Sequence, residues 1–296
     1  MNARPVAAPS GAPHARARGQ LRSRIAAAAV AAAALGAAST ASAHFQLLYT
    51  PETALSGAQA LHFVMVFSHP AHGGPSMEMG TPEAFFVVSQ RGDDSEPVKT
   101  DFKSSLKPIE WQSKDGPVHA YEASLPRNAT RSLGDYVFVF QPAPYLEKQE
   151  DKFIQQFTKT LVNVGGVPGN WAEPVGLPTE IVPLDKPYAN WTGGVFRGVV
   201  LSDGKPVANA ELEVEYVNYP LDIDVHRFAA DAQVAFPQGS FGTMGIHAND
   251  RGEFTIGLAR AGWWGVCALN VGPKKEHEGK PLSQDAVIWV QVRDMK

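Results

Sequence analysis

Donor atoms able to hold a metal ion fall in two short stretches of the 296-residue sequence. The first begins at His44, which follows Ser39-Thr40-Ala41-Ser42-Ala43. Residues 1–24 are basic and rich in Pro, Ala and Gly, and a mainly Ala run from Ile25 to Ala38 leads to an A-x-A pattern, the layout of a secretory signal. Cleavage after Ala43 would make His44 the first residue of an exported, periplasmic chain. A terminal His offers its α-amine and its imidazole Nδ1 to one ion, a chelate that no internal His makes with its own amine. That amine titrates at about 7.7–8.0, so an ion displaces a proton and binding weakens as pH falls. The plainer alternative is that the peptidase cuts before whatever residue comes next.

The second stretch is His69-Pro70-Ala71-His72-Gly73-Gly74-Pro75-Ser76-Met77-Glu78-Met79, a strand end running into a Gly/Pro loop. His69 and His72 are spaced to meet a metal from a turn, and Met77 and Met79 share one side if that piece is extended. Imidazole suits nickel, copper and zinc, whereas thioethers favour Cu(I). A loop with a Pro-stacked His and core methionines fits the same residues. His62 lies inside the preceding strand and reads as a core or cross-strand residue, with a ligand role as the alternative because it neighbours the His69 end. His119, His226 and His247 carry weaker signals, and His277 sits in the charged tip Lys274-Lys275-Glu276-His277-Glu278. Cys267, the one cysteine, lies in the apolar run Trp263–Leu269 and reads as a buried, inert thiol.

These residues must be positioned by strands. The 27 Gly and 23 Pro are spread without a period, the mark of many turns. Residues 60–69 alternate apolar residues on both faces and predict one central strand, with others at 84–89, 119–125 and 136–141. The stretch 151–164 favours a strand by its β-branched and aromatic content, although residues 147–153 could open with a helical turn. Residues 165–190 read as an ordered crossing segment, with a boundary near Trp191. Beyond it, 195–201 and 206–217 predict a hairpin whose Glu211, Glu213 and Glu215 form a wet face, and 286–292 a last strand. No second apolar run is long enough to span a bilayer. All five charges of residues 1–43 are Arg, so the remainder carries 21 basic and 30 acidic residues, a net −9. That acidic body lacks the electrostatic footprint of a nucleic-acid binder.

The second half resembles transthyretin-like and carboxypeptidase-regulatory modules in its opening Gly198, Val200, Gly204, Pro206, Val207 and Ala210. The terminal His44-Phe45, Phe67-Ser68-His69-Pro70 with Met77-Glu78-Met79, Gly134-Asp135-Tyr136-Val137-Phe138, Pro142-Ala143-Pro144-Tyr145, Gly176-Leu177-Pro178-Thr179-Glu180 and Ala261-Gly262-Trp263-Trp264-Gly265 together resemble the DUF4198 family. That resemblance implies a periplasmic protein associated with nickel uptake, the nickel-binding accessory component of an energy-coupling transport system. It implies metal at His44 and His69, with His72, His62, Met77 and Met79 as further candidates. Where relatives often have a His after Phe153-Ile154, this chain has Gln155-Gln156, which raises the question of a replaced ligand.

The expected architecture is all-β, two immunoglobulin-like or transthyretin-like β-sandwich domains in tandem: a signal peptide 1–43, an N-terminal metal-binding sandwich 44–190 and a C-terminal sandwich 191–296. The leading functional expectation is a binding protein without turnover, carrying Ni(II), or Co(II), to a membrane permease that it meets with no transmembrane segment of its own. One alternative is a copper histidine-brace protein or oxidase, whose marks would be an axial Tyr or a flat aromatic face. Another is a structural β-sandwich protein without a metal. Hydrolase motifs such as G-x-S-x-G, H-E-x-x-H and the P-loop are absent from the sequence.

Overall fold

Val, Ile, Phe, Tyr and Thr dominate the apolar segments of this chain and favour a pleated, half-buried surface, and strands are what they form. The computed structural model describes residues 44–90 and 96–295, together with Met1. The expected signal peptide and its cleavage after Ala43 lie outside the described residues. Among those residues the helical elements are three short 3-10 turns, at Lys103–Ser105, Arg127–Thr130 and Gly239–Phe241, and no helix is long and apolar enough to cross a membrane. The protein is all-β, with sheets packed face to face in the manner of a β-sandwich.

The largest sheet has 12 strands. Its main path runs Thr243–His247, Glu211–Tyr216, Gly262–Ala268, Lys280–Arg293, Lys152–Val164, Gly134–Gln141, Ala84–Ser89, Val98–Asp101. The pairing at its middle is parallel, Lys152–Val164 against Lys280–Arg293 from Phe153↔Leu282 to Thr160↔Trp289. Segments 44–190 and 191–296 therefore share one sheet across the boundary expected near Trp191, and Ala43–Lys296 is one compact unit.

Period-two alternation along these strands feeds two cores. On one face Phe85, Phe138, Ile154, Val162, Cys267, Val287 and Trp289 meet Phe63, Met65 and Trp111 of the five-stranded sheet that contains Leu61–Met65, Leu106–Ser113 and Gly116–Leu125. On the other, Phe157, Leu161, Leu212, Val266 and Ile288 meet Ile181, Phe196, Val200 and Phe254 of a four-stranded sheet. This second core also holds a buried ion pair, Lys159 Nζ to Glu180 Oε2 at 2.7 Å. Glu180 also accepts the N–H groups of Val175, Gly176 and Leu177, which accounts for an acid at the end of the Gly176–Glu180 run.

Four details differ from what the sequence suggests. The single strand over 60–69 breaks at Val66: Leu61–Met65 pairs with Gly116–Leu125 at the end of its sheet, and Phe67–Ser68 joins a different, three-stranded sheet. The outer edge of Leu61–Met65 is covered by the N-terminal segment, with Tyr49 N–H donating to Val64 O at 2.9 Å and Leu47 N–H to Val66 O at 2.8 Å. In place of the hairpin over 195–217, Val195–Ser202 pairs only with Lys205–Pro206 across that turn. The chain then changes sheets, with Asn209 at φ 54, before Glu211–Tyr216 joins the large one. The supposed wet face is dry at one end, because Glu215 is fully buried. Finally, residues 147–153 make no helical turn; Tyr145–Glu147 is a short strand folded back on Lys152–Ile154.

Gly265 shows how tightly the shared sheet is packed. It pairs with Trp289, and a Cβ at Gly265 would lie 2.5 Å from the indole ring. The indole is 2% exposed and has nowhere to move. Gly265→Ala is expected to destabilise the fold by about 1–3 kcal/mol through overpacking, measured as a lower urea midpoint with unchanged slope.

Candidate metal centre

The N-terminal strand Phe45–Gln46 pairs antiparallel with Phe67–Ser68, in the register Phe45↔Ser68 and Gln46↔Phe67. Continued by one residue, that register sets His44 opposite His69, where cross-strand side chains meet. The two imidazoles do meet, with ring centroids 4.6 Å apart. The third strand of this small sheet, Ser76–Met77, pairs with Phe67–Ser68 on its other edge.

The His44 segment is pinned from below by side chains of the large sheet. Gln156 accepts from Gln46 N–H through Oε1 at 2.7 Å and donates through Nε2 to the His44 carbonyl at 2.7 Å. Its second amide hydrogen goes to Asp285 Oδ2 at 3.2 Å. Trp289 Nε1 donates to Gln46 O at 2.8 Å and Thr160 Oγ1 to Leu48 O at 2.7 Å. Gln155 is used elsewhere, donating to Glu83 and Pro142 and accepting from Gln284. Both glutamines thus have hydrogen-bonding work in this chain, at the positions where a replaced ligand was in question.

Around the imidazole pair stand residues that the sequence reading did not single out as ligands. Glu147 Oε2 lies 3.2 Å from His44 Nε2. Phe67 and Tyr145 flank the His44 ring at centroid distances of 5.4 and 6.0 Å. Burial, with the nearby Glu147, pushes the Tyr145 hydroxyl above its ordinary range. Beside them is a recess of about 10 Å³ lined by Gln46, Phe67, Met79, Tyr145 and Gln156 among others, room for about one water.

The other expected ligands take separate places. Met79 is buried at the recess, and Met77 is buried opposite Phe67. The His72 ring lies edge-on to Phe236 at 5.9 Å and against Gly242, where a Cβ would come within 2.5 Å of its Nε2. Burial and Lys114 lower its pKa. His62 is on the far sheet, with Nδ1 3.2 Å from Ser124 Oγ and Nε2 3.7 Å from Glu122 Oε2, a carboxylate that His226 Nε2 also approaches at 3.4 Å. Among the described residues no group of three or more His, Cys, Asp or Glu is disposed to hold a metal ion. The expected chelate draws one of its donors from the α-amine, which is no such side chain. Cys267 is fully buried, and burial pushes its thiol well above the ordinary range, with Asp285, Glu213 and Glu215 adding to the effect.

The loop that carries His69 is held by the second half of the chain. Asn218 N–H donates to Pro70 O at 3.2 Å, Asn218 Nδ2 to Ala71 O at 3.3 Å, and the Tyr219 ring lies under Gly73, a glycine at φ 66. Glu215 accepts from Ala71 N–H at 3.2 Å and from the Thr243 hydroxyl at 2.6 Å.

The family model described as Domain of unknown function (DUF4198) matches residues 41–272. No curated protein matches the chain. Among solved structures, the D0-D1 domain of intimin is 9% identical, with 82% of this chain and 96% of that one covered and a TM-score of 0.19. The Yersinia pseudotuberculosis adhesin InvE is 11% identical over 82% of this chain and 58% of that one, TM-score 0.22. The titin immunoglobulin tandem A164-A165 is 11% identical over 86% and 98%, TM-score 0.17. These superpositions are too loose to align one site with another.

Glu215 gives this region a pH signature. Burial pushes its carboxyl up to about 8 from 4.5, against the bonds from Thr243 and Ala71, and Glu213 is pushed up to about 7. The folded chain keeps protons that the unfolded chain has released, so this contribution to stability is whole below the unfolded value and is lost as pH rises through the folded one. Between pH values of about 5 and 8 Glu215 should lower stability by up to about 1.4 kcal/mol per pH unit. Urea midpoints measured across that range should fall for the unaltered chain and fall less steeply for Glu215→Gln.

Proposed function

The chain belongs to the DUF4198 family. We propose that it is an exported protein that captures a divalent transition ion, Ni(II) or else Co(II), and passes it to a membrane uptake permease. The ion is held by the amine and Nδ1 of His44, freed by cleavage after Ala43, and by the imidazole of His69. The observation that supports this reading is the 4.6 Å approach of the two rings, produced by strand register between a segment that follows a signal-like sequence and one that ends in a His loop. Three nitrogen donors at about 2.0–2.1 Å suit a borderline divalent ion and leave positions for water and for exchange. The adjacent recess, at about 10 Å³, has room for about one water.

A second reading, a copper histidine brace, is favoured by Tyr145, whose ring stands 6.0 Å from that of His44. Affinity does not separate the two, since Cu(II) outranks Ni(II) at nitrogen sites in general. Reductant-driven O2 consumption by the copper-loaded chain, lost in Tyr145→Phe, would select the brace.

The chelate is tested by titrating Ni(II) into a chain that begins at His44 and into one carrying a single extra Ala before it. The extension keeps every side chain and moves the amine, so affinity should fall at least about a hundredfold, roughly 2.8 kcal/mol. His69→Ala should do likewise and His277→Ala should change little. Equal Ni(II) binding by the extended and unextended chains would remove the chelate.

A further inference from the structure

We infer that Glu147 is the positioning residue of this centre, a carboxylate that fixes which nitrogen of His44 is presented to the ion. The inference rests on the proposed chelate and concerns a residue outside the set of donors.

The argument starts from the inventory of the two groups. A carboxylate oxygen accepts hydrogen bonds and an imidazole nitrogen gives one only when it carries the proton. Glu147 Oε2 lies 3.2 Å from His44 Nε2, and a carboxylate that close favours the tautomer with its hydrogen on Nε2. In the neutral ring the lone pair then sits on Nδ1, the nitrogen on the side of the backbone from which the terminal amine closes a ring around an ion. The opposite tautomer would put a proton where the metal must bind and a lone pair against a carboxylate. Metal-bound histidines commonly direct their other ring nitrogen to a carboxylate in this way, which fixes the ring and raises its basicity.

Glu147 is built to be such a fixed partner. It ends the short strand Tyr145–Glu147, paired Glu147↔Lys152 with the first residue of the central strand Lys152–Val164. Its Oε1 accepts from Gln149 N–H at 2.9 Å, so the carboxyl is oriented from the side away from His44. The two side chains are 12% and 16% exposed, which removes most of the water that would compete for this contact. Phe67 and Tyr145 confine the ring. The carbonyl of the same His44 is held by Gln156, so backbone and ring are each fixed by a different strand.

Two measurements test this. The first uses metal-free chain beginning at His44, in which nitrogen NMR of the His44 ring reports the tautomer: Nε2–H in the unaltered protein and in Glu147→Gln, whose amide oxygen remains an acceptor, and a mixture in Glu147→Leu. The second is Ni(II) titration of the same chains. Glu147→Leu should bind about tenfold to a hundredfold more weakly, and Glu147→Gln should stay within about threefold of the unaltered chain. If Glu147→Leu leaves the tautomer and the affinity unchanged, the positioning role is wrong. If Glu147→Gln binds as weakly as Glu147→Leu, the carboxylate is itself a ligand and the inference fails in that direction. The Ala extension before His44 separates this from the chelate: equal binding by the extended chain removes the chelate, while the tautomer still decides whether Glu147 holds the ring.

Discussion

Residues 45–48 are buried, and a buried peptide group without a partner costs as much as a lost hydrogen bond. Along one side that debt is met by side chains: Gln156 takes the His44 carbonyl and the Gln46 N–H, Trp289 the Gln46 carbonyl and Thr160 the Leu48 carbonyl. On the other, Phe67–Ser68, Val66 and Val64 supply ordinary strand partners. With both sides fixed there is one register for this segment, and that register is what sets His44 against His69. The juxtaposition of the two residues is thus a by-product of satisfying backbone polar groups.

That dependence runs through both halves of the chain. Gln156 is oriented by Asp285, whose other oxygen is occupied by Asn270 N–H and the Ser283 hydroxyl. Trp289 reaches Gln46 only because Gly265 leaves its indole room. The His69 loop rests on Asn218 and Tyr219 and is tied through Ala71 to Glu215. Residues from 215 to 289 therefore determine the geometry of a site whose expected donors are at 44 and 69.

Much of this was legible in the sequence. The strand Ala84–Ser89 has the predicted limits, and the β-branched stretch before Val164 became the 13-residue strand Lys152–Val164. His44 and His69 stood out because residue type and a nearby signal-like pattern mark them without any knowledge of the fold. What escaped was non-local. Parallel pairing of Phe153 with Leu282 has no local signature, since each strand is an apolar run that reads the same beside any neighbour. Thr179–Pro183 was hidden in a Gly/Pro-rich stretch, and its pairing with Val195–Ser202 gives it strand character. Glu147 sits in Glu147-Lys148-Gln149-Glu150, a sequence that looks like a solvated turn, and only the fold-back onto Lys152 carries it to His44. His72, three residues from His69, showed the limit of spacing: the turn between them, with His72 N–H on His69 O at 3.1 Å, sends the second ring to Phe236.

The bond from Trp289 to Gln46 spans 243 positions of the chain. Contacts so distant in sequence are slow to form, because the entropy of closing the intervening loop is spent before any contact rewards it. A chain emerging from its N-terminus exposes His44 first and acquires the strand that anchors it last. On that argument the Trp289 anchor is the last to form, and the geometry at Gln46, two residues from His44, depends on whether the C-terminal strand has reached its place.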